Sequence, residues 1–220
     1  VNAKSMGRES FQEIDQHAFF GAVAKAVLSP KDTDDIPRVT AEAVRLSTDG
    51  RPGPVVVQIP RDVSSMDTAS AIPTPAARTP HEPDAALVDK AVAMIDGAKA
   101  PLVVAGEMIS NQNAADALTK FAAAAGLPVM SAYRRLDVMP NSHDCYAGHL
   151  EINRFENQLE AIDQSDLIIS VGTRLDGITS ADETMFCTGK PLIHIYPEAD
   201  ILARFESDVA LDADMEPALA

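Results

Sequence analysis

Two glycines that follow apolar runs, together with an arginine just beyond the second, offer the most direct chemistry in this sequence. Gly106 follows the run Pro101–Ala105, and Gly172 follows the run Leu167–Val171. In an open α/β sheet, ligands bind beyond the carboxyl ends of the strands, where a glycine lets a phosphate or a ribose approach the backbone. Arg174 stands two residues after Gly172, where its guanidinium could clamp a diphosphate bidentately.

Simpler interpretations exist for the same residues. Each glycine can serve merely to make a turn, and Arg174 can be a surface residue paired with Asp176. Neither glycine belongs to a GxGxxG fingerprint, and the sequence has no GxxxxGK[ST] phosphate loop. A Ser-His-Asp order and an HExxH motif are also missing. The sequence therefore favours a phosphate-binding strand edge over hydrolytic or metalloprotease chemistry.

An alternation of strands and helices must position these residues. Strands are predicted at 101–105, 127–130, 167–171, 191–195 and 209–211, and helices at 84–97, 111–125, 154–164 and 215–220. Residues 131–153 are predicted to be irregular. Strands that alternate with helices imply a parallel sheet with helices on both faces. The predicted fold class is therefore α/β, with a Rossmann-like central domain over 85–220 that is incomplete at its C-terminus.

The first 63 residues contain a shorter α/β pattern. Residues 1–10 are polar and predicted to form a loop, and apolar residues at helical spacing predict a helix over 13–28. A second helix is capped by Asp34 or Asp35. Residues 54–59 predict a strand buried on both faces, since three valines and an isoleucine fall in five positions. Helix, helix and strand without a leading strand indicate the C-terminal part of a domain.

Residues 64–84 contain four prolines among Ser, Thr and Ala, which predicts a linker between the two patterns.

Asp32, Asp34 and Asp35, just before the second helix, are dense enough to suggest a cation site, although helix capping explains them at least as well. His17 and His143 have no partners at ligand spacing.

Composition limits the class of protein. The 220 residues are 46% hydrophobic, carry a formal net charge of −15 and show no Lys/Arg cluster, which argues against a nucleic-acid partner. No apolar run approaches the roughly 20 residues of a membrane span, and no signal peptide is apparent. Cys145 and Cys187 lack CxxC spacing and are interpreted as free thiols of a cytoplasmic protein. The leading Val1 indicates a fragment, a processed chain or missing leading residues.

Three segments resemble a known family. Residues 51–63, the turn-and-strand segment Arg-Pro-Gly-Pro-Val-Val-Val-Gln-Ile-Pro-Arg-Asp-Val, resemble the end of the pyrimidine-binding domain of thiamine diphosphate enzymes, as does 11–15, Phe-Gln-Glu-Ile-Asp. Within that family, the segments resemble the acetolactate synthase group especially. Residues 172–176, Gly-Thr-Arg-Leu-Asp, resemble a segment that holds FAD in the central domain of that group. The match departs at Gly177 and Ile178, where the family usually has Asp and Arg.

The resemblance implies roles for particular residues. Phe11 and Gln12 fall on a pair that lines the active site near the thiamine, and a glutamine can both donate to and accept from a carbonyl substrate. A hydrophobic staple before the helix is the simpler role for Phe11. Arg61 stands where the family commonly has a lysine at the mouth of the active-site channel. Arg51 falls on a nucleotide-contacting arginine, although it can equally be a turn residue.

The resemblance also implies a nucleotide site in the central domain. Besides Gly106, Gly172, Arg174 and Asp176, the implied residues are Gly148, in a loop over the flavin, and Ile195, where the adenosine end would pass. Family members bind FAD, ADP or nothing in this domain, and all three outcomes stay open.

The implied function belongs to a longer enzyme. The family's catalytic Glu and its Gly-Asp-Gly…Asn segment, which holds Mg²⁺ and the diphosphate, match nothing in this sequence, so the chain alone is expected to be inactive. The complete enzyme would decarboxylate a 2-keto acid such as pyruvate and transfer the two-carbon unit, as a homodimer or homotetramer. Rival activities are those of oxalyl-CoA decarboxylase, sulfoacetaldehyde acetyltransferase and benzaldehyde lyase. A rival from another class is a non-catalytic nucleotide-binding or assembly module.

Overall fold

The contacts within the chain divide it into two compact units, Val1–Thr79 and Pro80–Ala220. They are seen in a computed structural model that describes residues 1–74, 78–182, 184, 186 and 189–220. Cys187, predicted to be a free thiol, lies outside the described residues, whereas Cys145 is free.

The first unit contains two short parallel strands and a long helix. Its helices and strands are α1 (Gln16–Phe20), β1 (Ala26–Leu28), α2 (Ile36–Thr48) and β2 (Val55–Val57). Short 3-10 turns occupy Ala3–Ser5, Thr33–Asp35 and Val63–Ser65. The strands pair with Ala26 opposite Val55 and Leu28 opposite Val57, and α2 packs against both strands.

The helix predicted over 13–28 is wrong beyond Phe20. Its last residues form β1 instead, so a strand does precede α2. Ala-Val-Leu is too short a run for its period to distinguish helix from strand, and pairing with β2 decides the outcome. The backbone N–H of Lys25 donates to the carbonyl of Pro54 at 2.7 Å at the start of this pairing.

Two further expectations for the first unit need correction. Strand β2 is half-buried rather than buried on both faces, and β1 is its one partner strand among the described residues. The predicted loop over 1–10 contains a 3-10 turn at Ala3–Ser5. Asp35 does not cap α2 through its side chain but pairs with Arg38 at 2.7 Å, while the Asp32 side chain accepts from the backbone N–H of Asp35.

The second unit is built on a parallel sheet with six strands in its described residues. The strands are β3 (Pro101–Ala105), β4 (Val129–Ser131), β5 (Tyr146–His149), β6 (Leu167–Val171), β7 (Leu192–Ile195) and β8 (Val209–Leu211). Their spatial order is β5-β4-β3-β6-β7-β8, with every pair parallel. This is the Rossmann order, in which the chain winds outward in both directions from β3 and β6.

Helices and loops cover both faces of the sheet. The helices are α3 (Ala85–Gly97), α4 (Glu107–Asn111), α5 (Ala115–Ala125), α6 (Glu156–Gln164), α7 (Gly177–Ser180), α8 (Ala199–Leu202) and α9 (Met215–Leu219). One core cluster joins alternate strand residues such as Ile169 to Leu118 of α5 and Met215 of α9. A second cluster joins the remaining strand residues, such as Ile168, to Ile162 of α6. Because both faces of the parallel sheet are buried against helices, the structure confirms the predicted α/β class.

The differences from prediction in this unit are local. The helix predicted over 111–125 begins at Ala115, and the short α4 precedes it. The segment 131–153, predicted to be irregular, contains β5, an edge strand whose pairing with β4 is interrupted by a register shift. Helices α7 and α8, of four residues each, were not predicted because such short segments carry no usable period.

Candidate functional site

The carboxyl ends of β3 and β6 lie side by side at the point where the winding of the sheet reverses. The backbone N–H of Gly106 donates to the carbonyl of Val171 at 2.9 Å, and that of Met108 donates to the carbonyl of Gly172 at 2.9 Å. This is the place where open α/β sheets bind their ligands. The structure therefore brings Gly106, Gly172 and Arg174 to one edge, as the sequence predicts.

Both glycines are required by close packing of the protein against itself. A Cβ at Gly106 would lie 2.3 Å from the Cβ and 2.6 Å from the Cα of Thr173. Gly172 has a positive φ of 63°, and a Cβ there would lie 2.9 Å from both Met108 Cβ and Met215 Sδ. The space beside each glycine is thus filled by protein atoms.

Arg174 pairs with a buried carboxylate. Its Nε donates to Oε1 of Glu107 at 2.8 Å, and the hydroxyl of Tyr196 donates to the same oxygen at 3.0 Å. The Glu107 side chain is 11% exposed and that of Arg174 is 36% exposed, while Tyr196 is completely buried. Glu107 therefore joins α4, the loop after β6 and the end of β7 in one polar cluster.

Asp176 has a different partner from the one the simpler interpretation assigned to it. Its carboxylate accepts from the backbone N–H groups of Ile178 and Thr179, each at 3.1 Å, and so caps the N-terminus of α7. The expected pairing of Arg174 with Asp176 is therefore replaced by the pairing of Arg174 with Glu107.

Gly148 is packed against a side chain of α6. It has a φ of 103°, and a Cβ there would lie 2.9 Å from Nε2 of Gln158. That amide nitrogen donates to the carbonyl of His149 at 2.7 Å, while Oε1 of Gln158 accepts from the backbone N–H of Phe155 at 3.2 Å. Gln158 thereby ties edge strand β5 to the start of α6.

Ile195 lies in the core of the second unit. Its side chain is 3% exposed and packs in the cluster that includes α5 and α9, and its carbonyl accepts from the backbone N–H of Gly172 at 2.9 Å. The neighbouring His194 is completely buried, with Nε2 3.0 Å from the carbonyl oxygen of Thr173. Its Nδ1 has no hydrogen-bond partner among the described residues.

Burial of His194 makes stability depend on pH. Desolvation lowers the pKa of His194 below its ordinary value, opposed in part by the hydrogen bond to Thr173. Below about pH 6.5 the imidazole of His194 takes up a proton in the unfolded chain but stays neutral in the folded chain. The free energy of unfolding therefore decreases as the pH is lowered, by up to about 1.4 kcal/mol per pH unit. We expect His194→Gln to flatten this dependence when urea unfolding is compared at pH 7.5 and 5.5. Equal pH dependence in the two proteins would contradict the assignment.

The remaining predicted site residues lie in the first unit. Phe11 is 88% exposed, so it does not act as a hydrophobic staple, and Gln12 has a positive φ of 63°. No hydrogen bond engages the Gln12 side chain within the part of the chain that the structure describes, so its amide is available to a carbonyl group. The carbonyl of Arg51 accepts from Nζ of Lys25 at 3.1 Å, and Arg61 is exposed.

Two cavities lie apart from these residues. A groove of about 1170 Å³ in the first unit runs along α2 and is lined by apolar residues such as Val44 and Ile72. A cleft of about 650 Å³ in the second unit lies where β3 and β4 begin, near Pro101 and Pro128. Ligands of open α/β sheets bind at the opposite, carboxyl ends, so the volume of neither cavity identifies the site.

Glu107 and Tyr196 are the polar residues of this edge that sequence reasoning missed. Glu107 follows Gly106 directly, so the sequence already shows a carboxylate beside the predicted phosphate site. Tyr196 directly follows β7. No group of three potential metal ligands occurs within the described residues, which include Asp32, Asp34 and Asp35. The same residues contain no helix both long and apolar enough to span a membrane.

Comparison with known proteins identifies the second unit. Residues 88–220, more than half of the chain, match the family described as thiamine pyrophosphate enzyme, central domain. The chain belongs to the thiamine pyrophosphate enzyme family. This confirms the family that the three segments resemble, and the Rossmann-like unit is its central domain.

Individual relatives agree with this assignment. The acetolactate synthase large subunit of Corynebacterium glutamicum is 31% identical over 198 residues, which cover 88% of this chain and 32% of the relative. The acetolactate synthase isozyme 1 large subunit of Escherichia coli K12 is 28% identical over 225 residues, covering all of this chain and 39% of the relative. The chain thus spans 32% and 39% of the length of these two relatives.

A solved structure supports the fold. The structure of a thiamin diphosphate-dependent enzyme isolated from Mycobacterium smegmatis matches 89% of this chain and 38% of its own, with a TM-score of 0.74 and 24% identity.

Proposed function

We propose that this chain is part of a thiamine diphosphate-dependent enzyme similar to acetolactate synthase, which decarboxylates a 2-keto acid such as pyruvate and transfers the two-carbon unit to an acceptor carbonyl. The observation that carries the proposal is the match of residues 88–220 to the central domain, joined by relatives that are acetolactate synthase large subunits. Thiamine diphosphate, held through Mg²⁺ by other parts of the enzyme, supplies the carbanion chemistry.

Residues of the first unit fit a role in that active site. The unengaged amide of Gln12 carries both a donor and an acceptor, which suits a carbonyl substrate. Phe11 exposes an apolar ring that can exclude water from the reacting atoms. Arg61 carries a permanent positive charge that attracts a carboxylate substrate.

Assembly and location complete the proposal. We infer a homodimer or homotetramer from the family resemblance, because active sites in this family form between subunits. Two cysteines without CxxC spacing are typical of a reducing compartment, which supports a cytoplasmic location.

The direct test is an assay of the full-length protein with pyruvate, thiamine diphosphate and Mg²⁺. We expect acetolactate to form and carbon dioxide to be released, and omission of thiamine diphosphate to abolish both. Consumption of oxalyl-CoA, sulfoacetaldehyde or benzoin in place of pyruvate would assign one of the sibling activities. No turnover of any of these substrates would leave a non-catalytic module as the function.

Replacement of Gln12 tests the active-site role of the first unit. In the full-length enzyme, Gln12→Ala should lower kcat about tenfold, equivalent to about 1.4 kcal/mol of transition-state stabilisation. The melting temperature should not change, because the side chain is exposed and makes no hydrogen bond among the described residues. Gln164→Ala, at an exposed position of α6, is the matched control and should behave as wild type. Unchanged kinetics in Gln12→Ala would remove this residue from the active site.

A further inference from the structure

The partner of Arg174 is a carboxylate at the end of a central strand of the sheet. Glu107 is the first residue after the glycine that ends β3, at the reversal point where Rossmann sheets hold a pyrophosphate. Its Oε1 lies 2.8 Å from Nε of Arg174. An arginine that could clamp a diphosphate is thus already engaged by an anion from the chain itself.

The burial of Glu107 makes this anion difficult to displace. Its side chain is 11% exposed, and the fully buried hydroxyl of Tyr196 donates to the same oxygen at 3.0 Å. Displacing the carboxylate from Arg174 would also separate a largely buried negative charge from its counter-charge, which is costly in the interior. A diphosphate that entered beside the carboxylate would be repelled by its negative charge, and this repulsion is stronger in the protein interior than in water because the effective dielectric constant is lower.

Close packing within the protein accounts for both glycines at this edge. The space beside Gly106 is filled by Thr173, and the space beside Gly172 is filled by Met108 and Met215. In a phosphate site, a glycine leaves room for the ligand to approach the backbone, whereas here each glycine leaves room for another part of the protein. Neither glycine is therefore evidence of a phosphate site, and the donor set of this edge, an arginine already paired with a buried carboxylate, does not fit FAD or ADP.

We propose that Glu107 is a built-in anion that takes the place of a nucleotide phosphate at Arg174, so that the central domain of this protein binds neither FAD nor ADP at this edge. Glu107 then determines cofactor specificity by excluding dinucleotides and adenine nucleotides. This inference is independent of the proposed reaction, because it concerns nucleotide binding and not turnover of a 2-keto acid.

The test is a binding measurement on the full-length protein. Wild type purified without added flavin should show no absorbance band near 450 nm. Calorimetric titration with ADP and with FAD at low ionic strength should show no saturable binding up to millimolar concentration. Glu107→Gln keeps an acceptor oxygen for Arg174 and Tyr196 but removes the negative charge, so ADP binding should appear at least tenfold tighter than the wild-type limit. That binding should weaken with added salt.

Two further variants make the test specific. Glu160→Gln changes net charge equally at an exposed position of α6 and should bind no more ADP than wild type. The double variant Glu107→Gln/Arg174→Met should lose the gained binding. The proposal is overturned if wild type binds either nucleotide and Arg174→Met abolishes that binding, or if Glu107→Gln binds no better than Glu160→Gln. Should Glu107→Gln fail to fold, the wild-type and Arg174→Met titrations decide alone.

Discussion

Gly106→Ala should destabilise the central domain by about 3 kcal/mol or more, the largest effect we expect from a single methyl group in this protein. The new Cβ would lie 2.3 Å from Thr173 Cβ, 2.6 Å from Thr173 Cα and 2.8 Å from the carbonyl oxygen of Gly172. These atoms belong to the backbone or to its first side-chain carbon, so no rotamer change can relieve the clash. The ends of β3 and β6 would have to separate.

Gly97→Ala is the matched control for this substitution. Gly97 ends α3, and among the described residues no heavy atom beyond its chain neighbours and its own helix backbone lies within 4 Å of the position that its Cβ would take. Alanine there should be neutral or should stabilise the protein by up to about 1 kcal/mol, since it reduces the entropy of the unfolded chain. Urea unfolding of both variants measures the difference, and a Gly106→Ala protein as stable as Gly97→Ala would show that this strand edge is loosely packed.

Arg174→Met should cost about 2 kcal/mol of stability. The substitution leaves the buried carboxylate of Glu107 with the hydroxyl of Tyr196 but without its counter-charge. Breaking a fully buried ion pair typically costs about 3–5 kcal/mol, and the lower figure reflects the exposure of about a third of the Arg174 side chain, which lets water screen the pair. Methionine retains most of the apolar stem of the arginine, so the loss of stability measures mainly the removal of the positive charge and only slightly a change in packing.

A double-mutant cycle isolates the ion pair from other effects. If Glu107 and Arg174 stabilise each other, Glu107→Gln/Arg174→Met should be less destabilised than the sum of the two single variants by at least about 1 kcal/mol. Arg204→Met, at an exposed position after α8, controls for loss of a surface arginine and should change stability by less than about 0.5 kcal/mol. Additive single effects would mean that the contact between the two side chains contributes nothing measurable.

The longer elements of the second unit could be predicted from sequence because their signals are local. Residues 101–105, 167–171 and 192–195 are strands in the structure, as are 209–211, and α3 begins and ends within one residue of its predicted bounds. Apolar runs of four or five residues between helix-like segments are sufficient to indicate a parallel sheet. Strands β1 and β5 were missed because short runs become strands only when a partner strand is available.

The positions of the candidate-site residues on the sheet could likewise be predicted from sequence, but the side chains that Arg174 contacts could not. Gly106, Gly172 and Arg174 could be assigned to one sheet edge, since the carboxyl ends of neighbouring parallel strands meet there. The pairing of Arg174 with Glu107 spans 67 positions, and the contact of Tyr196 with Glu107 spans 89. No spacing rule connects residues so far apart. The roles of Phe11, Gln12, Arg51 and Arg61 rest on the family resemblance and stay predictions.

By itself, the sequence determined the α/β class, the parallel sheet and the thiamine pyrophosphate enzyme family, because apolar periodicity and contiguous motifs act over a few neighbouring residues. The tertiary structure decided what the sheet edge can hold. It filled the space beside both glycines with Thr173, Met108 and Met215, and it brought a buried carboxylate to the one arginine of the Gly-x-Arg-x-Asp segment. Steric fit and charge pairing depend on which distant residues the fold brings together, and that information is absent from any short stretch of the chain.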